Sequence, residues 1–212
     1  MSVGLRVRLD GVTCAHGRRT VVHGVDLVVE PGERVALTGT NGSGKTTLLR
    51  AVLGLHRARS GVIEVGGVRA GTAADWARRR RDAAWIPQKQ AAGRFPLLAD
   101  ELLASSGAPE HARAAAGELG VGHLRDQPLH TMSGGQLQRT YLARAMGCVA
   151  AGAGLLLADE PTAALDFAGQ ADAARLLTSL PVTVLVVTHD RAVVNRCEHV
   201  LEMAAGTLRE IT

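Results

Sequence analysis

One glycine-rich segment contains the residue types that bind nucleotide phosphates. Residues 39–46 read Gly-Thr-Asn-Gly-Ser-Gly-Lys-Thr and fit the phosphate-loop pattern G-x-x-x-x-G-K-S/T. Glycines let the backbone turn tightly and bring its N–H groups close to phosphate oxygens, and the positive end of a helix starting there adds to the attraction. We expect Lys45 to reach the β- and γ-phosphates and the Thr46 hydroxyl to bind Mg²⁺.

The residues on either side of this segment predict the strand and the helix that the pattern requires. Arg34–Thr38 is a short, mostly apolar run that is typical of a buried strand. Residues 46–53 have the apolar spacing of a helix, and Gly54 follows them as a typical C-cap. This context favours a phosphate-binding loop over the alternative, which is a glycine turn next to an unrelated lysine.

Two carboxylates follow another run that predicts a central, parallel strand. Residues 155–158 are continuously apolar, and Asp159 and Glu160 come directly after them. Ligands bind at the carboxyl edge of parallel sheets, so Asp159 suits Mg²⁺ binding through water and Glu160 suits the general base that takes a proton from an attacking water. From these residues alone, a solvated turn is an equally good interpretation.

Two further segments are candidates for contact with the γ-phosphate. His189 follows the mostly apolar run 182–187 and would polarise the transition state, although a lone histidine at a strand end is usually only exposed. Residues 133–136 read Ser-Gly-Gly-Gln and predict a helix N-terminus with Ser133 at the cap, and such an end binds anions. Because the chain already has one phosphate cradle, this second helix end suggests a ligand that another subunit supplies.

The composition excludes several classes of protein. The 212 residues are 46% hydrophobic and only 2% aromatic, so we expect an aliphatic core. No apolar run approaches the roughly 20 residues of a membrane span, and the first residues do not resemble a signal peptide. Cys14, Cys148 and Cys197 have neither disulfide-framework nor metal-ligand spacing, which favours a reducing cytosol.

A cluster of arginines accounts for much of the local positive charge. The net charge is +4, and Arg78–Arg81 lie between Asp75 and Asp82. No aromatic residues alternate with these basic residues, as a platform for nucleic-acid bases would require. We therefore predict a solvated helix face and no nucleic-acid partner.

The order of the predicted elements indicates an α/β fold. Residues 5–9 and 25–29 alternate as antiparallel strands do, whereas the later apolar runs alternate with helical patterns and predict a largely parallel sheet. From residue 97 to residue 150 the pattern is helical. We predict one domain, residues 1–212, in which a core formed by 1–88 and 150–212 contains an inserted helical subdomain, 89–149.

Six of these segments, in this order, resemble the motifs of ATP-binding subunits of ABC transporters, and the resemblance covers nearly the whole chain. It implies a P-loop NTPase (RecA-like) core with N-terminal antiparallel strands. The segments are 39–46, similar to Walker A; Gln88, similar to the Q-loop glutamine; 132–136, similar to the LSGGQ signature with Met in place of Leu; 155–160, similar to Walker B; Ala164-Leu165-Asp166, similar to the D-loop; and His189, similar to the switch histidine.

The resemblance assigns expected roles to individual residues. It implies catalysis by Glu160, His189, Gln88 and Lys45, and Mg²⁺ binding by Thr46, Gln88 and Asp159. The residues expected to bind nucleotide are Gly39, Asn41, Gly42, Ser43, Gly44, Lys45, Thr46, Thr47 and His16. His16 stands where the family usually has an aromatic side chain on adenine, and an imidazole stacks over less area.

In the family, ATP is held between Walker A of one subunit and the signature of the other. The resemblance therefore implies a homodimer in which Ser133, Gly134, Gly135 and Gln136 act in trans, with Asp166 in the D-loop. It also implies separate membrane permease subunits, an extracytoplasmic substrate-binding protein and a peripheral position at the cytoplasmic face of a prokaryotic cell membrane.

Shorter similarities indicate the branch of the family. Residues 86–90, 94–97, 122–128 and 165–170 are similar to zinc and manganese importer ATPases. The alternatives are a small exporter of the haem-exporter type and a soluble ABC ATPase of DNA repair or translation. The interval between Gln88 and Ser133 is too short for the coiled coil of the repair proteins, and the chain has one cassette where translation proteins have two. A phosphate-loop scaffold without hydrolysis is disfavoured because the catalytic residue types are all present.

Overall fold

The computed structural model describes residues 4–88 and 96–211 as two β-sheets with helices around them. The strands are β1 (Val7–His16), β2 (Arg19–Val29), β3 (Arg34–Thr38), β4 (Ser60–Val65), β5 (Val68–Arg69), β6 (Ala83–Ile86), β7 (Leu155–Asp159), β8 (Thr183–Val187), β9 (His199–Ala204) and β10 (Thr207–Glu210). The helices are α1 (Lys45–Leu53), α2 (Ala73–Asp82), α3 (Ala99–Ala104), α4 (Pro109–Glu118), α5 (Gly134–Ala150), α6 (Phe167–Ser179) and α7 (Arg191–Val194), with 3-10 turns at Gly122–Leu124 and Leu129–Thr131.

The larger sheet positions the candidate site. Its strand order is β10-β9-β3-β8-β7-β6, and every pair is parallel except β9 with β10. All residues of β7 and β8 are buried, which explains why both strands are almost entirely apolar, with Asp159 at the end of β7 and Thr183 at the start of β8 as the two polar residues. Since β3, β8 and β7 are neighbours and run in the same direction, the segments that follow them meet at one edge of the sheet.

The smaller sheet is antiparallel, with strand order β2-β1-β4-β5. Its side chains share one hydrophobic cluster with α1 and the larger sheet; Val7, Leu48 and Leu157 are fully buried members. The predicted antiparallel strands are confirmed for residues 7–9 in β1 and 25–29 in β2, whereas residues 5 and 6 precede β1; the two strands are joined by a hairpin tip beyond His16.

Three helices between residues 96 and 150 pack together as a lobe. Leu103, Ala115 and Ala143 lie in its small, alanine-rich core. A Cβ on Gly147 would lie 2.6 Å from the Ser106 hydroxyl oxygen, so this glycine allows α5 to approach its neighbours closely. These helices lie in the predicted insertion, 89–149, except that α5 continues to Ala150. The first residues of the insertion, 89–95, lie outside the described parts of the chain, and its bounds stay a prediction.

The prediction of a solvated arginine face on α2 is wrong at one position. Arg79 is 3% exposed, and its guanidinium donates to the carbonyls of Ile63 and Val68. The guanidinium carbon also lies 5.1 Å from the centre of the Trp76 ring. Arg79 therefore binds α2 to β4 and β5, whereas the other three arginines of the cluster are exposed.

The three cysteines are free thiols. Cys14 and Cys148 are buried, Cys197 is partly buried, and burial raises the pKa of each. Within residues 4–88 and 96–211, no helix combines the length and the apolar character needed to cross a membrane.

Candidate nucleotide-binding site

The glycine-rich segment forms a loop between β3 and α1, as its pattern predicts. Gly39 and Gly44 adopt φ angles of +126° and +110°, a region that favours glycine. A Cβ on Gly39 would lie 2.2 Å from the Met203 carbonyl oxygen, and one on Gly44 would lie 2.5 Å from the Val21 carbonyl oxygen. Both glycines are therefore required by backbone conformation and by close backbone contacts.

Lys45 places its ammonium group over this loop. Its Nζ donates to the carbonyl oxygens of Gly39, at 2.5 Å, and Thr40, at 2.9 Å. Burial lowers the pKa of Lys45, and the nearby carboxylates of Glu160 and Asp159 oppose this shift. The arrangement holds a positive charge beside backbone that can bind an anion.

Thr46 and Asp159 connect the start of α1 to the end of β7. The Thr46 hydroxyl donates to Asp159 Oδ2 at 2.7 Å. Asp159 is 1% exposed, burial raises its pKa, and its Oδ1 is buried without a hydrogen-bond partner among the described residues. A hydroxyl and a carboxylate with a free oxygen are hard ligands, so these two residues fit Mg²⁺.

Glu160 has an unusual backbone conformation. Its φ is +50°, which is rare for a residue with a side chain, and its N–H donates to the Val187 carbonyl at 2.8 Å. The side chain is 15% exposed, and its Oε1 lies 3.7 Å from Nε2 of His189. Burial raises the pKa of Glu160, whereas His189 opposes the rise. A carboxylate with a raised pKa is a stronger base.

These residues line one open cleft of about 410 Å³, and most of the predicted nucleotide and catalytic residues meet there. The lining comprises His16, Arg19, Val21, Asn41, Gly42, Ser43, Gly44, Lys45, Thr46, Thr47, Gln88, Asp159, Glu160 and Val187. His189 is not among these lining residues, but its Nε2 lies 3.7 Å from Oε1 of Glu160, which is.

His16 lies at the wall of this cleft, beside the first turn of α1. Its Nε2 lies 3.1 Å from the Thr47 hydroxyl oxygen, a hydrogen-bond distance, and its ring centre lies 4.8 Å from that of His56. The position is compatible with the predicted contact to adenine, which stays a prediction.

The predicted signature residues do not line the cleft. Ser133 caps α5: its hydroxyl accepts from the Gln136 N–H at 3.2 Å, and its own N–H donates to the Gln136 side chain at 2.9 Å. The structure thus confirms a capped helix N-terminus at this place. Within one chain, the N-terminus of α5 is not part of the cleft beside α1, as the hypothesis of a site shared between subunits requires.

Two residues that sequence patterns did not single out connect α5 to the segment after Glu160. Gln138 is 3% exposed, and its amide donates to the Pro161 carbonyl at 2.7 Å. Arg139 donates to Asp166 Oδ1 at 3.2 Å. The available signal was two long polar side chains in the second turn of the predicted helix, which an exposed helix face would also explain.

Comparisons with known proteins show the family. The ABC transporter family model matches residues 22–163. The chain is 38% identical over 191 residues to the zinc import ATP-binding protein ZnuC of Pseudomonas aeruginosa, covering 87% of this chain and 65% of that protein. It is 35% identical to the hemin import ATP-binding protein HmuV of Bradyrhizobium diazoefficiens, covering 82% of this chain and 70% of that protein.

Solved structures show the same fold. A dimeric bacterial ABC transporter cassette superimposes with a TM-score of 0.86 at 25% identity, over 97% of this chain and 98% of that one. The dimeric post-hydrolysis state of an ATP-binding cassette with ADP and Pi gives a TM-score of 0.82 at 27% identity, with the same coverage. The predicted α/β P-loop NTPase fold is confirmed, and the chain belongs to the ABC transporter family.

Proposed function

We propose that this chain is the ATP-hydrolysing subunit of an ABC transporter and works as a homodimer. The observation that carries the proposal is the meeting of Lys45, the Thr46–Asp159 pair and the Glu160–His189 pair at one edge of the parallel sheet. These groups supply a phosphate-binding cation, oxygen ligands for Mg²⁺ and a general base.

Nucleotide binding uses the loop before α1. Its N–H groups and the positive end of α1 hold the phosphates, and Lys45 exchanges its two carbonyl contacts for the β- and γ-phosphate oxygens. Gly39, Asn41, Gly42, Ser43, Gly44, Lys45, Thr46 and Thr47 form this cradle, and His16 contacts adenine. Bound Mg²⁺, held by Thr46, Gln88 and Asp159, supplies positive charge for the phosphoryl oxygens.

Hydrolysis depends on Glu160. Its carboxylate accepts a proton from the water that attacks the γ-phosphate, and His189 orients that carboxylate and polarises the phosphoryl group. Gln88 senses the γ-phosphate from the end of β6. The left-handed backbone at Glu160 aims the side chain toward the cleft and away from the interior of the sheet.

The second half of each site comes from the partner subunit. Ser133, Gly134, Gly135 and Gln136 present the N-terminus of α5 to the γ-phosphate in trans, and Asp166 follows in the D-loop. The dimeric cassette that this chain resembles supports such a pairing. ATP favours the closed dimer because it binds that state more tightly than the open one, so the coupling to transport is mechanical.

For the cargo, we propose import of a divalent metal ion, zinc or manganese, through separate permease subunits at the cytoplasmic face of the membrane, with an extracytoplasmic binding protein. The similarity to zinc import ATP-binding proteins at 38% identity supports zinc. Hemin import is the second candidate, supported by 35% identity to hemin import ATP-binding proteins. We assign contact with the cargo to the other subunits; within residues 4–88 and 96–211 no cluster of potential metal ligands occurs.

Gene deletion with metal analysis tests this function. Deletion should lower cellular zinc or manganese and slow growth in chelator, with rescue by added metal or by the intact gene. A gene carrying Glu160→Gln should not rescue. Normal metal content together with failure to grow on hemin as the iron source would favour the second candidate, and a defect in haem, lipid or drug export would favour an exporter.

A further inference from the structure

Two adjoining hollows on the surface are lined by arginines and, among the described residues, by no acidic side chain. The larger hollow has a volume of about 890 Å³, and its basic residues are His56, Arg57, Arg69 and Arg80. The smaller has a volume of about 470 Å³, and its basic residues are Arg18, Arg57 and Arg59. Because Arg57 lines both hollows, the five arginines form one continuous region, which we call the basic surface.

The positive charge of the basic surface is not balanced by neighbouring carboxylates. All five arginines are exposed, and none forms an ion pair with an Asp or Glu of residues 4–88 and 96–211. The two acids of α2 have other partners, since Asp75 caps the helix and Asp82 pairs with Arg78. A surface of this kind attracts anions.

Buried contacts hold the elements of this surface together. The Arg79 guanidinium joins α2 to β4 and β5, and the Arg59 N–H donates to the Thr13 carbonyl at 2.7 Å, which fixes the segment before β4 to β1. A Cβ on Gly54 would lie 2.2 Å from Cε3 of Trp76, so α2 packs directly on the end of α1. The arginines therefore project from elements that are packed against one another.

Two apolar side chains lie among the arginines and indicate what kind of anion the surface fits. Leu55 is 55% exposed, Trp76 is partly exposed, and both line the larger hollow. Arginines around leucine and tryptophan suit the headgroup region of a membrane, where cations meet lipid phosphates and apolar groups reach the boundary of the acyl chains. A surface for nucleic acid needs rings that are free to stack on bases, whereas the Trp76 ring is packed against Gly54.

We propose that the basic surface binds the anionic headgroups of a phospholipid membrane. This inference extends the proposed function, which places the chain at the cytoplasmic face of the membrane, and it does not depend on the cargo. Each arginine close to an anionic membrane contributes about 5-fold to the affinity, so five unpaired arginines on one surface have a large combined effect. The contact orients the chain with the C-terminal end of α1 toward the bilayer.

Sedimentation of the whole chain with phospholipid vesicles, without a permease, tests the proposal. The chain should bind vesicles that contain phosphatidylglycerol and should not bind vesicles of phosphatidylcholine alone, and added salt should release it because salt screens the charges. The triple variant Arg57→Gln, Arg59→Gln, Arg80→Gln should bind anionic vesicles about 100-fold more weakly. Its ATPase rate in solution should equal that of the parent, since none of the three lines the nucleotide cleft.

A second triple variant is the matched control, because it has the same net charge as the first. It changes three exposed arginines that line neither hollow: Arg125→Gln, Arg175→Gln and Arg196→Gln. This control should bind anionic vesicles nearly as well as the parent, whereas a non-specific effect of net charge would weaken both triple variants equally.

The outcomes separate this inference from the proposed function. Equal vesicle binding by the first triple variant and the parent would overturn the membrane contact, and so would an equal loss in both triple variants. Tighter binding of a double-stranded oligonucleotide than of anionic vesicles at the same salt concentration would overturn it as well. In each of these cases, ATP hydrolysis by the parent leaves the proposed function standing. A parent that binds anionic vesicles and hydrolyses no ATP would overturn the proposed function alone.

Discussion

The two helix ends proposed to bind the γ-phosphate differ in how their polar groups are satisfied. At the phosphate loop, Asp159 Oδ1 and the Ser43 hydroxyl are buried without a hydrogen-bond partner in the described parts of the chain. At the start of α5, Ser133 and Gln136 satisfy each other through a reciprocal pair of hydrogen bonds. The phosphate loop therefore has buried polar atoms that a ligand would satisfy, whereas the polar side chains at the start of α5 are satisfied without one.

This difference suggests an order of events. Buried polar atoms without partners cost free energy. Ligand binding at the phosphate loop therefore stabilises the protein in two ways, because it forms new contacts and removes this cost. The start of α5 has no such deficit and contributes only when a phosphate is brought to its free N–H groups. We therefore expect ATP to bind the monomer first and the signature to matter only for closure.

Replacing Glu160 by Gln tests the chemistry of the phosphate edge and should have the largest effect. Loss of a general base typically lowers turnover about 10²–10⁴-fold, whereas ATP binding should persist because the phosphate cradle is intact. Measurement of the ATPase rate and of ATP affinity on the same protein checks this. Lys45→Ala is the contrasting variant and should weaken binding itself.

The pH dependence of ATP turnover tests the same role of Glu160. Because burial raises the pKa of Glu160, the base becomes protonated, and turnover should fall, at a higher pH than for an exposed carboxyl group. Turnover that is unchanged in Glu160→Gln would remove this residue from the role of base.

Substitution at the start of α5 tests whether that end acts in trans. Gly135→Asp should leave ATP binding to the monomer intact and block the closed dimer, because a carboxylate would face the γ-phosphate. Gly135→Ala controls for packing, since a Cβ there already lies 3.2 Å from the Ala164 carbonyl oxygen. Mixing Gly135→Asp with Lys45→Ala creates dimers with one intact site, and partial ATPase activity would support trans sites. Full activity of Gly135→Asp alone would exclude them.

Replacing Asp159 by Asn should raise the stability of the fold and abolish ATPase activity. The folded-state pKa of Asp159 is raised, so its ionisation costs folding free energy, and stability is lost as the pH rises through that pKa. An amide stays neutral and should stabilise the fold at pH 7 by about 0.5–2 kcal/mol, a few degrees in Tm, while ATPase activity is lost. Thermal unfolding at pH 7 and at acidic pH checks this. A lower Tm than the parent at pH 7 would contradict it.

The smallest effect is expected at the adenine end of the cleft. His16→Tyr should tighten ATP binding by about 0.5–1.5 kcal/mol through stacking, reduced by loss of the contact with Thr47. Dissociation constants for ATP and GTP are the measurement. Weaker or unchanged ATP binding would place His16 away from the base.

Patterns that are local in sequence were predictable here. The phosphate loop, the strands before Asp159 and His189 and the cap at Ser133 all follow from spacing within a few residues. The burial of Arg79 in α2 does not follow from such spacing, because its partners are the carbonyls of Ile63 and Val68 on β4 and β5.

The rest of the site was unpredictable for the same reason. The left-handed backbone of Glu160 and the contact of Gln138 with Pro161 exist only once β7, β8 and α5 are assembled. The residue types at positions 138, 160 and 161 do not indicate either arrangement.

The three thiols of this chain are buried or partly buried, and we expect them to react slowly with reagents that modify cysteine. Burial, with Glu198 nearby, raises the pKa of Cys197 to about 11, so at pH 7 only about one side chain in 10⁴ is the reactive thiolate. Burial raises the pKa of Cys14 and Cys148 as well. A fluorophore or spin label could therefore be attached to a single introduced surface cysteine with the native thiols left in place, and the approach of two labelled copies could be followed in real time.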